Sequence, residues 1–386
     1  MARTPLARLL SLAALAAVTL TLAGCVPLES PGKTDQIEFV STSTSEGWKF
    51  DYYRNLAYPC SVSGYQTFVI GTKVGSSDTA SRPLWVRMHG GGVGFFDANG
   101  NPQPSAGNKR EELPSRLIGV VPDRALTGLV RGDAAGFRLV SVSMCSHDIY
   151  GGGDQEDPNN PNTTPDGQPR KVNGMFATKA AIAYAKAHYP TGKVFLHGGS
   201  AGSAGVYNVA WSMQAEGVPP AGAIADSGSV NRQWEVARAE QGICGDEGRA
   251  IDAIAARLHP SLTRVKNQPD LLIARGDLTV PILHVWSRAD AATCGETPMA
   301  CTLADGSTTT MGAADCSHEL IRSAIEGLGA GSRFRNMRLC VSPAEAPGSC
   351  ATHVVTSKDG TNTDPAQPAN YNAAILDWAH SRLGDP

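Results

Sequence analysis

Residues 198–202 read Gly-Gly-Ser-Ala-Gly, a G-x-S-x-G pattern. They follow the apolar run Lys193-Val194-Phe195-Leu196-His197 and precede a stretch with helical spacing, residues 203–215. A strand that turns sharply into a helix holds the central serine in a strained conformation, its hydroxyl exposed at the end of a sheet. Small flanking residues leave the hydroxyl uncovered. The helix start adds unbonded N–H groups and the positive end of a dipole, both useful where an oxyanion forms. Ser200 is therefore a candidate nucleophile towards an acyl carbonyl. The competing reading is a plain Gly-rich turn in a chain with 42 glycines.

A second glycine loop, Met88-His89-Gly90-Gly91-Gly92-Val93-Gly94, comes directly after an expected strand at residues 84–88. In serine esterases with this motif order, such a loop supplies backbone N–H groups to the oxyanion, which glycine lets approach closely. It lacks the Lys-Ser/Thr ending of a phosphate loop and does not match G-x-G-x-x-G. An acid and then a histidine should follow the serine. Asp290, four residues past the run at 282–286, is the first choice for the acid, with Asp226 second and Asp315 a further rival. His353, in Gly348-Ser349-Cys350-Ala351-Thr352-His353, is the first choice for the base. Its rival His318 opens an expected helix and precedes the last strand. His89 and His197, beside the two motifs, fit loop-orienting roles better than proton transfer. With no CxxC pair and no HExxH, no metal site is expected, and the chemistry requires no cofactor.

These residues need a frame. Strands are expected at 50–53, 68–71, 84–88, 139–142, 194–197, 221–225, 282–286 and 337–340. Helical spacing appears at 173–188, 203–215, 233–241, 250–258, 318–328 and 371–383. The alternation predicts an α/β architecture, a mostly parallel sheet with helices on both faces. Residues 154–169, dense in Pro, Asn, Asp and Gly, read as a long surface loop. Residues 242–278 could form a small helical cap between late strands.

The combination of His89-Gly90-Gly91-Gly92, Cys145-Ser146-His147-Asp148 with Gly151, Asn173-Gly174, Gly198 to Gly202 and Asp226-Ser227-Gly228 resembles the pectin acetylesterase family, which includes the animal Notum carboxylesterases. The Cys-x-x-Asp element discriminates most. The resemblance runs from about Leu84 to Gly228 and weakens afterwards. It implies an α/β hydrolase fold and carboxylic ester hydrolysis. It also implies that Ser200 is the nucleophile, that the backbone around Gly92, Val93 and Ala201 holds the oxyanion, and that His353 is the histidine. A small acyl group such as acetate, on an ester of the polysaccharide type, follows from the resemblance alone. Family members usually carry Trp and then Cys after the glycines, where this chain has Val93 and Gly94. Acetylated pectin is therefore not assigned. Two other readings use the same residues: acyl transfer to a cell-envelope acceptor, and a surface binding lipoprotein that keeps the fold without the chemistry.

The first 24 residues are expected to be a signal peptide: Arg3 and Arg8, an apolar stretch at 9–22, then Leu22-Ala23-Gly24-Cys25. This resembles the lipobox of bacterial lipoproteins, with Cys25 as the lipidated residue and the body exported to the outer face of a membrane. Ordinary secretion and an uncleaved anchor are the alternatives. Residues 25–36 read as a tether, leaving 37–386 as the hydrolase domain. With 33 basic and 36 acidic residues, nothing points to nucleic acid. Apart from Cys25 there are eight cysteines, Cys60, Cys145, Cys244, Cys294, Cys301, Cys316, Cys340 and Cys350. An even number in an exported chain suggests disulfides. Cys340–Cys350, which would stiffen the His353 loop, and Cys294–Cys301 are plausible local pairs.

Overall fold

The computed structural model describes residues 27–76, 79–103, 109–120, 136–228, 253–288, 292–339 and 370–384, together with 231, 233, 237, 290, 353 and 354. The expected leader, Cys25, Cys244 and the pair Cys340–Cys350 lie outside these residues, as do most of the helix expected at 233–241 and the start of the cap. In chain order the strands are β1 (Ile37–Ser45), β2 (Trp48–Pro59), β3 (Tyr65–Lys73), β4 (Arg82–Met88), β5 (Phe95–Phe96), β6 (Pro102–Gln103), β7 (Arg138–Val142), β8 (Gln155–Glu156), β9 (Lys171–Val172), β10 (Thr191–Gly199), β11 (Gly222–Asp226), β12 (Ile282–Ser287), β13 (Pro298–Thr302), β14 (Thr308–Gly312) and β15 (Arg335–Leu339). The helices are α1 (Pro114–Val120), α2 (Gly174–His188), α3 (Ala201–Ala215), α4 (Pro269–Ala274), α5 (Ala313–Gly327) and α6 (Tyr371–Leu383).

Nine strands form one sheet in the order β1-β2-β3-β7-β4-β10-β11-β12-β15. The first three run as an antiparallel meander that joins β7 antiparallel. From β7 to β15 every pairing is parallel. The exchange of β7 and β4 relative to chain order, followed by strands added in sequence, is the α/β hydrolase arrangement. All residues of β7, β11 and β12 are buried, as expected of parallel strands covered on both faces.

Period-2 alternation divides the core between the two faces. Leu84, Val86 and Met88 of β4 face the side packed by Met175 and Phe176 of α2, Val206 and Val209 of α3, and Leu320 and Ile321 of α5. Trp85 of β4, Phe195 and Leu283 face Leu117 of α1 and Ile375 and Trp378 of α6. The eight strands expected from sequence all fall in this sheet. Absent from that reading were β1, whose Ser/Thr-rich residues are mostly exposed at the sheet edge, and the β13–β14 hairpin. Among the described residues no helix is long and apolar enough to cross a membrane.

Two expectations need correction. The described part of the tether is docked on the body. Leu28 is buried, and its carbonyl accepts from Ser212 Oγ (2.6 Å) and Lys179 Nζ (3.2 Å). The Lys33 N–H donates to Tyr58 Oη at 2.9 Å. Gly32 lies so close to α2 that a Cβ there would come within 2.3 Å of the Ala180 nitrogen. Gly32, within the segment that read as a tether, is a point of close approach. The second correction concerns Cys301, which pairs with Cys316 rather than Cys294. Cys301 is buried on β13 and Cys316 is buried on α5, so the hairpin missing from the sequence reading decides the partner. Cys294 is itself disulfide-bonded. Cys60 bonds to Cys145.

Candidate active site

Ser200 stands between the end of β10 and the first residue of α3, with φ 56° and ψ −123°. A non-glycine residue in this region costs about 1–3 kcal/mol and persists only where the surroundings fix it. They do so here. Its N–H donates to the Asp226 carbonyl at 2.9 Å, and its carbonyl accepts from Ser203 (2.9 Å) and Ala204 (3.3 Å). That leaves Ala201 and Gly202 with first-turn N–H groups outside the helical ladder. The serine is half-buried.

The glycine loop at residues 88–94 reaches this turn. A Cβ on Gly90 would lie 2.8 Å from the Ser200 Cβ and 3.5 Å from its Oγ, so only glycine permits this approach. Gly92 follows with φ 73°, and Val93 packs against the core. The loop is held from below by His89. Its Nδ1 is 2.6 Å from the Gly90 carbonyl oxygen and its Nε2 is 2.9 Å from Glu112 Oε2. Burial alone would raise the Glu112 carboxyl, but His89, Arg116 and the Met144 N–H together hold it below its ordinary value. His197 is fully buried against Trp85 (ring centroids 5.6 Å apart), and burial pushes its imidazole far towards the neutral form. Glu112 was not singled out in the sequence, because nothing local marks a carboxylate as buried.

Asp290 and His353, 63 residues apart in sequence, meet: His353 Nδ1 is 2.7 Å from Asp290 Oδ2. The Asp290 Oδ1 accepts from the Ala292 N–H at 2.9 Å. Asp290 is buried, whereas the His353 side chain is 35 % exposed. Val354, the next residue, lies against the serine turn, with a methyl 3.1 Å from where a Gly199 Cβ would be. The rival acids are placed otherwise. Asp226 is buried at the end of β11 and accepts from Ser227 Oγ at 2.8 Å. Asp315 approaches Arg288 at 3.9 Å. His318 is inside α5, which begins at Ala313.

The Cys145–Asp148 element forms a loop beside the glycines. Asp148 is fully buried and accepts three backbone N–H bonds, from Tyr150 (3.1 Å), Gly152 (3.1 Å) and Gly174 (2.8 Å). The His147 carbonyl accepts from Gly94 N–H at 3.3 Å and from Arg257 at 3.2 Å. Arg257 comes from the insertion between β11 and β12 and also pairs with buried Asp157 at 2.8 Å. The described part of that insertion is thereby fastened to the site.

Lys109, also not singled out in the sequence, lies under the glycine loop. It is fully buried, donates to the Phe95 carbonyl at 2.8 Å and lies 4.4 Å from the Phe96 ring centroid. Burial first, then the Arg257 charge, push its ammonium down to about 7, with Asp157 opposing. In an unfolded chain the lysine titrates near its ordinary value of about 10.4. Between these values the unfolded state holds a proton that the folded state lacks, so stability rises with pH by up to about 1.4 kcal/mol per unit. Below pH 7 both states are protonated and the cost of the buried ammonium is constant. Lys109→Met is expected to remove this slope. Urea unfolding of both proteins at pH 7, 8 and 9 checks it, and stability curves that stay parallel would refute it.

No protein-family model matches this chain, and no curated protein matches it in sequence. Solved structures do resemble it. Brefeldin A esterase, described as a bacterial homologue of human hormone sensitive lipase, is 14 % identical with a TM-score of 0.45, covering 93 % of this chain and 80 % of that one. Acetyl xylan esterase from Paenibacillus sp. R4 is 12 % identical with a TM-score of 0.43, covering 83 % and 86 %. An S-formylglutathione hydrolase from Agrobacterium tumefaciens is 13 % identical with a TM-score of 0.45, covering 90 % and 100 %. Such values are too low to carry an activity or a substrate to this chain, and the assignment of the α/β hydrolase fold rests on the strand order.

Proposed function

We propose that this protein is a serine carboxylesterase, with Ser200 as nucleophile, His353 as general base and acid, and Asp290 as the carboxylate that orients the imidazole. The observation that carries this reading is the 2.7 Å Asp290–His353 hydrogen bond, formed between residues distant in sequence, with Val354 next to His353 packed against Gly199, the residue before the strained serine. His353 Nε2 takes the Ser200 proton as Oγ attacks the ester carbonyl. The oxyanion is held by backbone N–H groups of Gly92, Val93 and Ala201. His353 returns the proton to the departing alcohol. Water, deprotonated by the same imidazole, then attacks the acyl-enzyme; collapse frees the acid and returns the proton to Ser200. Asp290 stays ionised and balances the imidazolium at both steps.

The substrate in this proposal is a small-acyl ester, acetyl first, of the polysaccharide type. It is supported by the motifs at His89–Gly92, Cys145–Asp148 and Gly198–Gly202, which resemble those of pectin acetylesterases. The departures at Val93 and Gly94 keep pectin itself out of the proposal. The protein is exported and anchored to the outer face of a bacterial membrane through lipid on Cys25. The disulfides Cys60–Cys145 and Cys301–Cys316 support an oxidising compartment.

A fluorophosphonate probe is expected to label the oxidised protein at the Ser200 peptide, and Ser200→Ala is expected to abolish labelling. A set of nitrophenyl esters of rising chain length should show the highest kcat/KM at acetyl. Absence of labelling in folded protein would replace the enzyme with a binding lipoprotein. A preference for long chains would overturn the substrate class.

A further inference from the structure

The loop that backs the glycine segment beside Ser200 is gripped by one buried guanidinium from a distant part of the chain. Arg257, in the insertion between β11 and β12, is 1 % exposed. Its Nε and Nη2 donate to the two Asp157 carboxylate oxygens at 2.8 and 3.3 Å, so the buried charge is balanced. The remaining donors turn to two consecutive carbonyls, Nη1 to His147 at 3.2 Å and Nη2 to Ser146. Ser61 Oγ is a further partner of Nη2 at 3.3 Å. The next two residues follow Arg257 into the same loop. The His259 N–H donates to the Gly151 carbonyl at 2.7 Å, and a Cβ on Gly151 would come within 2.4 Å of Leu258 Cδ2.

His147 carries this hold to the glycines by contacts of its own. Its carbonyl also accepts from the Gly94 N–H at 3.3 Å. Its side chain lies along the segment, with Cβ 3.4 Å from where a Gly94 Cβ would be and ring Cε1 3.9 Å from where a Gly91 Cβ would be. Lys109 presses on Gly94 as well, its Cε 2.3 Å from that Cβ position. The His147 ring nitrogens have no hydrogen-bond partner among the described residues. Burial first, then the Arg257 charge, push the imidazole down to about 3, so the ring packs as an uncharged spacer. His147 has φ 49°, Ile149 47° and Tyr150 52°. Non-glycine residues keep this left-handed region only where their surroundings fix them, and two of the fixing bonds here come from one guanidinium.

We propose that Arg257 is a positioning residue for the oxyanion donors: it fixes the Ser146 and His147 carbonyls and, through His147, the place of Gly92 and Val93 relative to Ser200. The inference rests on the proposed esterase site. Arginine suits the task, because one planar fork answers a carboxylate and two carbonyls at once, which the point charge of lysine does not. Donors set in advance act where charge develops in the transition state, so an error in their place falls on kcat. The insertion thereby belongs to the site, since the glycine segment is held in register only with residues 257–259 seated.

The test compares Arg257→Met, Arg257→Lys and the double variant Arg257→Met/Asp157→Asn, which leaves no unpaired carboxylate. Nitrophenyl acetate kinetics are referred to the serines that a fluorophosphonate titrates to completion. Arg257→Met is expected to lower kcat per titrated serine by about 10- to 100-fold, less than the roughly 10²–10³ of a donor removed outright, with KM within about two-fold. Arg257→Lys should lose less, and the double variant should match Arg257→Met. A trifluoromethyl ketone gives the second readout. Ser200 Oγ bonds to its carbonyl carbon, the serine proton passes to His353, and the carbonyl electron pair makes the oxygen an oxyanion. Its affinity should fall by the same factor as kcat/KM across the variants, while that of the nitroanilide analogue of the substrate stays within about two-fold. Parent-like kcat per titrated serine and ketone affinity in folded variants, with only lowered thermal stability, would overturn the inference and leave the esterase reading standing. Should Arg257→Met not fold, the double variant and Arg257→Lys carry the same comparison. A parent that neither labels nor hydrolyses would mean that the esterase reading itself has failed.

Discussion

Ser200→Ala and His353→Ala are each expected to lower kcat for a nitrophenyl acetate by on the order of 10⁶, and the double variant is expected to be no worse than either. Non-additivity is the point. The hydroxyl is a poor nucleophile without the imidazole, and the imidazole has nothing to deprotonate without the hydroxyl. Asp290→Asn is expected to cost on the order of 10⁴ while leaving KM near the parent value. The Asp290 Oδ2 accepts from Nδ1–H of His353 at 2.7 Å. An amide that turns its NH₂ towards Nδ1 forces the proton onto Nε2, the atom that must receive the serine proton. An amide that keeps its oxygen there must turn NH₂ towards the Ala292 N–H that now bonds Oδ1. Either outcome removes the carboxylate charge that balances the imidazolium. Steady-state kinetics at saturating substrate, with fluorophosphonate labelling as a second readout, measure all four variants. The comparison with Asp226→Asn is decisive. Asp226 accepts from Ser227 Oγ and its backbone carbonyl holds Ser200, so its substitution should act mainly on stability. A loss of about 10⁴ for Asp226→Asn together with an active Asp290→Asn would move the acid to β11.

The part of this site that could be read from sequence is the part whose physics is local. A strand, a glycine-flanked serine and a helix start are contiguous, so Gly198 to Gly202 mark themselves. Asp290 was approached through motif order, because it follows an apolar run and precedes the last strand. His353 needed the same order, and nothing in its neighbours states that it reaches Asp290. What escaped is what burial decides. Lys109 and Glu112 look like surface charges in a polar stretch, yet one is tied to Phe95 and the other to His89. By motif order His318 is a rival base, because it is a histidine after the serine. Its neutral state comes from burial, on a helix side that meets His284 and Trp286 of β12. Pairings across a turn fared similarly. A β13–β14 hairpin of Thr, Ala and Cys carries little apolar alternation, and without it Cys301 has no visible reason to choose Cys316. The docked segment at 27–33 misled for the opposite reason, since Pro and Gly at a chain end carry the composition of a linker while Gly32 and Leu28 are packing residues.

Asp148→Ala is expected to lower folding stability by on the order of 3–6 kcal/mol, more than any surface change and a large share of the 5–15 kcal/mol typical of a domain. The carboxylate is fully buried and supplies acceptors to three backbone N–H groups: Oδ1 to Tyr150, and Oδ2 to Gly152 and Gly174. Alanine leaves all three donors without a partner where water does not replace it. Asparagine with its oxygen in the Oδ2 place keeps two of the bonds and turns NH₂ against the Tyr150 N–H, so Asp148→Asn should fall between. Leucine fills the volume but accepts nothing and should resemble alanine. Urea unfolding of the three variants tests that order, and an alanine variant within about 1 kcal/mol of the parent would show that the loop satisfies itself. The same geometry makes a second demand. A Cβ on Gly152 or Gly174 would lie 2.3 Å from an Asp148 carboxylate oxygen, so Gly174→Ala should be destabilising on its own but much less so once Asp148 is alanine. The consequence for catalysis runs through this loop. The Tyr150 hydroxyl donates to the His89 carbonyl at 3.2 Å, and the His147 carbonyl holds the Gly94 N–H. A loop loosened at Asp148 therefore releases both ends of the glycine segment that borders Ser200, and the fraction that still folds should label and turn over more slowly than the parent.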